Sequence, residues 1–81
     1  MTRTAPRMAL DCLQTIQENQ WKYKAYRIGN MIGGGVSNQN VVKLCIEMGY
    51  IIKDKDRHLG LTKDGEWTLN KLKAICEIFG W

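Results

Sequence analysis

Apolar residues recur at helical spacing from Arg7 to Gln17, where Ala9, Leu13 and Ile16 share a face with Leu10 beside them. Pro6 suits the first turn of such a helix, because the N–H it lacks has no intrahelical partner there. The run MTRTAP before it, residues 1–6, reads as a loose N-terminal segment. Asn19 and Gln20 break the first pattern, and Trp21 to Lys24 alternates aromatic and lysine with the period of a short strand. A second, brief helix is predicted over Tyr26 to Ile32, closed by Gly33 to Gly35. Ser37 then reads as an N-cap. It opens a third helix with Val41, Leu44, Cys45 and Met48 facing inward and Gly49 as its stop.

Tyr50 to Lys53 is a β-prone run, Lys53 to His58 a polar turn, and Leu59 to Leu61 the returning strand. Thr62 is an N-cap candidate, with Asp64 and Glu66 well placed at a helix N-terminus. The last helix is predicted over Lys63 to Phe79. Trp67 is apolar within it, Leu72, Ile75, Cys76 and Phe79 form its amphipathic stripe, and Gly80 ends it. The expected fold class is α+β, mainly helical: a winged helix-turn-helix with a three-helix core, a short first strand, a β-hairpin wing and a C-terminal helix. Residues 7–81 form its single domain.

Glu47, Gly49, Tyr50 and Ile51, followed by Leu61, Thr62 and Gly65 across the hairpin, carry a further signal. The run EMGYIIKDKDRHLGLTKDGEWTL resembles the wing region of winged-helix proteins of the MarR and PadR type. There a recognition helix ends in E-x-G-[LY]-[IV] and L-T-x-x-G opens the helix after the wing. Gly29 falls where the helix-turn-helix takes a small residue, and Val36-Ser37 where the turn meets the recognition helix. The likeness covers Arg7 to Phe79 and departs in the extra glycines of the turn. It implies a duplex-DNA-binding protein whose third helix enters the major groove while the wing lies beside the backbone.

Charge agrees in sign: the chain of 81 residues carries +4, and its pI is near 9.1. On the third helix Ser37, Asn38, Gln39, Asn40 and Lys43 are the candidate DNA contacts. Asn and Gln amides can bond both N6 and N7 of adenine, and a lysine can reach guanine or a phosphate. Lys55, Arg57 and His58 are the wing candidates, and Lys22 and Lys24 candidates for the backbone. Trp21 and Tyr26 are expected in the core; single-strand binding through Trp21 to Arg27 is the competing reading of that segment. Val42 and Ile46 either complete a wide core face or form a sticky surface for a protein partner. In that alternative the domain is a protein–protein interaction module. Leu72, Ile75, Phe79 and Trp81 are candidates for a homodimer interface along the last helix.

Catalysis fails on inventory. The single histidine, His58, lies in the wing, away from Cys12, Cys45 and Cys76. GGGVS lacks the Lys-Ser/Thr of a phosphate-binding loop, and the cysteines have no zinc spacing. No cofactor or metal is expected. The cysteines read as buried hydrophobes in a reducing, cytoplasmic setting, and no window is apolar enough for a membrane span. Such a domain suits a small transcriptional regulator or a mobile-element accessory factor.

Overall fold

The computed structural model describes residues 3–81. Its elements run α1 (Ala5–Glu18), α2 (Ala25–Met31), α3 (Gly35–Glu47), β1 (Ile51–Lys53), β2 (Leu59–Leu61) and α4 (Lys63–Phe79). The strands form one antiparallel hairpin, Ile51 opposite Leu61 and Lys53 opposite Leu59. Three helices, a hairpin and a final helix make the winged-helix arrangement that the patterning predicts.

Helix α1 packs on α4, α3, β2 and α2. Its inward residues Leu10, Cys12, Leu13 and Ile16 meet Ile28, Val42, Cys45, Ile51, Leu59, Leu69 and Cys76 in one core. It begins two residues earlier than the periodicity indicates, because the Thr4 hydroxyl accepts from the Arg7 amide at 3.3 Å. Of the segment read as loose, residues 1 and 2 lie outside the described residues, and the rest is held. The Arg3 guanidinium pairs with Asp11 and donates to the Ile32 carbonyl at 2.6 Å and to Asn38 Oδ1 at 2.7 Å.

The short first strand expected at Trp21 to Lys24 is not an element of the sheet. Trp21 takes φ 64°, inside a turn that stops an extended run before it starts. Its neighbours still pair with β2. The Trp21 amide donates to the Leu59 carbonyl and the Leu59 amide to the Tyr23 carbonyl, both at 2.9 Å, while the Leu61 amide donates to Gln20 Oε1 at 3.0 Å. Trp21 and Tyr26 are exposed rather than core, and Tyr23 packs inward in their place. The Trp21 indole lies over Gly60, where even a Cβ would collide with the ring.

Ser37 is not the N-cap of α3. Gly33 and Gly34, at φ 136° and 70°, turn the chain so tightly that Gly34 is the cap and the helix starts at Gly35. The inward face rotates with that start. Asn38, Val42 and Cys45 point in, Val41 and Ile46 are half-buried, and Leu44 and Met48, expected inside, face solvent. Val42 and Ile46 therefore complete the core face and form no docking surface. The C-terminus of α3 ends as predicted at Gly49, φ 82°. The Tyr50 amide bonds the Cys45 carbonyl at 3.0 Å and the Gly49 amide the Ile46 carbonyl at 3.1 Å, a Schellman motif.

Thr62 caps α4 by accepting from the Gly65 amide at 3.0 Å, and Gly80 closes that helix in the left-handed conformation. Leu69, not Trp67, is its fully buried residue. All three cysteines are free and buried. A hydrogen bond to Cys45, then burial, push the Cys12 thiol well above the usual thiol range, so it stays protonated. Among the described residues no helix is long and apolar enough to cross a membrane.

Candidate nucleic-acid interface

The three amides that open α3 have three different fates. Asn38 is only 8% exposed. Its Nδ2 donates to the Gly34 carbonyl at 2.7 Å and its Oδ1 accepts from Arg3, so both amide atoms are committed. It braces the glycine turn and is not available to a base. Gln39 lies over Gly29, at the crossing of α2 and α3, and donates to the Tyr26 carbonyl at 3.2 Å. Gly29 is small because the Gln39 amide occupies the space a side chain would need. Asn40 alone of the three is exposed, and it makes no side-chain bond among the described residues.

The outermost line of α3 is Val36, Asn40, Lys43 and Glu47, at helical steps of three and four, all exposed. Ser37, Leu44 and Met48 flank it on one side. Glu47 thus shares the face with Lys43 rather than turning away. The exposed face of α3 is narrower in polar groups, and more apolar, than the sequence implies.

The wing is stiff for its size. Asp54 Oδ1 accepts from the amides of Asp56 and His58, both at 2.9 Å, and the Asp54 amide donates to the His58 carbonyl at 3.0 Å. Lys55, Asp56 and Arg57 form the loop, with Arg57 held at φ 67°. A three-residue hairpin loop takes a left-handed residue there, a place that glycine or asparagine fills at less cost. His58 Nδ1 lies 3.9 Å from Asp54 Oδ2. Asp54, Asp56 and His58 bring three donor atoms within 4.8 Å of one another, and the turn itself accounts for their proximity without an ion.

The wing and the start of α2 meet. Lys24, Ala25, Tyr26, Lys53 and Arg57 line an open groove of about 320 Å³. Lys53 and Arg57 reach it from the hairpin, and Lys24 as the residue capping α2. Lys22 is exposed nearby in sequence, and Arg27 lies over the Tyr23 ring, 5.7 Å from its centre. The charge is partitioned accordingly. From Lys22 to Arg57 there are seven lysines and arginines against three acids; the rest of the chain has five of each. The whole net charge belongs to residues 22–57, that is, to the turn before α2 together with α2, α3 and the hairpin. Lys53 was legible from strand alternation, which puts it on the face of Ile51, but a lysine at the end of an apolar strand reads as a boundary.

The candidate interface residues on α4 divide. Leu72 packs against the core, whereas Ile75, Phe79 and Trp81 are exposed, and the last two rings stack with centres 4.8 Å apart. Comparison with protein-family models, with curated proteins and with solved structures gives no match to this chain.

Proposed function

We propose that this protein binds double-stranded DNA as a small regulator or accessory factor of the cytoplasm, with no catalytic step and no cofactor. The observation that carries this reading is the groove where Lys24, Lys53 and Arg57 converge from two elements. Three cations around one open channel repel each other in the free protein, and a phosphate backbone relieves that repulsion. Lys22 and Lys55 extend the contact to either side. Ser37, Asn40 and Lys43 of α3 enter the major groove, and Val36 offers an apolar contact to a thymine methyl group. Asn38 and Gln39 position the helix without touching DNA.

Fluorescence anisotropy with a random-sequence duplex over a salt series tests the reading. Micromolar binding that weakens steeply with salt is expected. No binding at low salt overturns it, and single strands competing far better than duplex transfer it to single-strand binding through the exposed Tyr26 ring.

Asn38→Ala and Asn40→Ala separate positioning from reading. Asn38→Ala leaves the Arg3 guanidinium short of an acceptor and is expected to cost about 1–3 kcal/mol of stability in urea unfolding. Asn40→Ala leaves the unfolding midpoint in place and reduces the preference between duplex sequences. Arg57→Gly gives the opposite pair of effects from Asn38→Ala. The left-handed position is relieved by about 1 kcal/mol, so the melting temperature holds or rises, while duplex binding weakens several-fold.

A second reading has its own support. Val36, Leu44 and Met48 are exposed apolar side chains on the outer side of α3. They suit a protein partner that covers the helix, and salt-insensitive binding of such a partner with no affinity for DNA is the outcome that favours it.

A further inference from the structure

We infer that Arg3, which precedes α1, is the positioning residue for α3: its guanidinium fixes the turn from which that helix starts, and so which side chains the helix presents. Gly33, Gly34 and Gly35 take φ 136°, 70° and 81°. Glycine enters such conformations about as readily as their mirror images, so the three residues do not select this turn by themselves. The selection comes from side chains on either side of it. Arg3 Nη2 donates to the Ile32 carbonyl at 2.6 Å and to Asn38 Oδ1 at 2.7 Å. Ile32 is the last residue before the glycines, and Asn38 is the first inward-facing residue of α3. One nitrogen thus joins the two ends of the turn. Nη1 pairs with Asp11, which anchors the fork to α1. Asn38 Nδ2 closes the arrangement by donating to the Gly34 carbonyl at 2.7 Å. Among the described residues, Arg3 and Asn38 make the only side-chain hydrogen bonds to residues 32–35.

The position requires an arginine rather than a lysine. Its acceptors are the Asp11 carboxylate, the Ile32 carbonyl and the Asn38 amide oxygen, and a planar fork reaches them with separate nitrogens. A lysine ammonium is a single point of charge and does not span them. The fork also needs Gly33, where a Cβ would stand 2.9 Å from Nη2. Arg7 isolates the part of this that is charge alone. Its Nε lies 3.2 Å from the same Asp11 carboxylate, and it makes no side-chain bond to the turn among the described residues. Under the proposed DNA-binding function, on which this consequence rests, Arg3 also governs sequence preference. Val36 and Ser37 lie in the first turn of α3 and Asn40 in the next, so a loosened start disorders the end of the helix assigned to base contact. Lys24, Lys53 and Arg57 stand outside α3 and keep their places around the groove.

Amide hydrogen exchange followed by NMR, without nucleic acid, tests the role in the variants Arg3→Ala, Arg3→Lys and Arg7→Ala. By helix geometry the Gln39 and Asn40 amides make the first bonds of α3, and the Leu69 amide reports the interior of α4. In Arg3→Ala, exchange at Gln39 and Asn40 is expected to rise about tenfold or more relative to Leu69. Arg3→Lys is expected to follow Arg3→Ala, and Arg7→Ala to follow the parent protein. Equal acceleration at all three amides is a loss of global stability alone and overturns the inference. Arg3→Lys that behaves as the parent, or Arg7→Ala that behaves as Arg3→Ala, overturns it too, because a charge beside Asp11 then suffices. Should Arg3→Ala not fold, Arg3→Lys against Arg7→Ala makes the same comparison. Duplex binding then separates the role from the function. Arg3→Ala is expected to lose preference between duplex sequences several-fold, with the salt slope on a random duplex unchanged. Faster exchange at Gln39 and Asn40 with that preference intact keeps Arg3 as the positioning residue and overturns α3 as the helix that reads DNA.

Discussion

Gly65→Ala is expected to remove a large share of the protein's stability. A Cβ at Gly65 would be driven into the backbone carbonyl of Tyr50, far inside any tolerated contact. That carbonyl is pinned, because it accepts the Thr62 amide at 3.1 Å, while the Thr62 hydroxyl donates to the Gly49 carbonyl at 2.6 Å. The end of α3, the base of the hairpin and the first turn of α4 are thus one knot, and no side chain can swing aside to make room. Overpacking of this kind costs about 3 kcal/mol or more, a large fraction of the roughly 5–10 kcal/mol that holds a small domain together. The melting temperature should fall by at least about 12 °C. Gly29→Ala is the control, since its obstacle is the end of the Gln39 side chain, which can move. Its expected cost is about 1 kcal/mol. Thermal melts followed by circular dichroism decide: equal melting temperatures for the two variants would mean that the approach of α4 to Tyr50 is looser than described.

Replacing Lys24, Lys53 and Arg57 together by alanine should abolish most duplex affinity without touching stability. All three side chains are exposed and line the groove rather than the core. Each lost phosphate contact lowers the slope of log K against log salt by about 0.9, so the triple variant should lose nearly 3 from that slope. Its affinity at low salt should fall by about 100-fold or more. Lys71→Ala with Lys73→Ala removes two charges from α4 and should leave the slope as it was. If the two variants weaken binding equally, the protein is attracted to DNA by net charge alone and the groove is not its contact.

The order of elements was legible from patterning, because each break is marked chemically. Gly49 and Gly80 end helices in left-handed conformations and Thr62 opens one, as their residue types imply. The phase of α3 was not legible. Three consecutive glycines permit several turns of different length, and the choice that starts the helix at Gly35 moves Leu44 and Met48 outside. The site was half legible for the same reason. A cluster of amides reads as a recognition surface until it is known which amide points back, and what holds Asn38 is an arginine 35 positions earlier. No local pattern carries that contact. The groove at Lys24, Lys53 and Arg57 likewise joins residues 29 and 33 positions apart, so the sequence names its cations without bringing them together.

The pairing of Gln20, Trp21 and Tyr23 with Leu59 and Leu61 has a consequence for solution behaviour. A two-stranded sheet ordinarily presents two rows of open amides and carbonyls, each a template for strand addition by another molecule. Here the β2 row is already taken, and β1 offers only three residues, the last of them Lys53. A lysine at the end of so short an edge discourages a foreign strand. The outer row of Leu59 and Leu61 is thereby closed to a foreign strand as long as the turn at Trp21 stays in place.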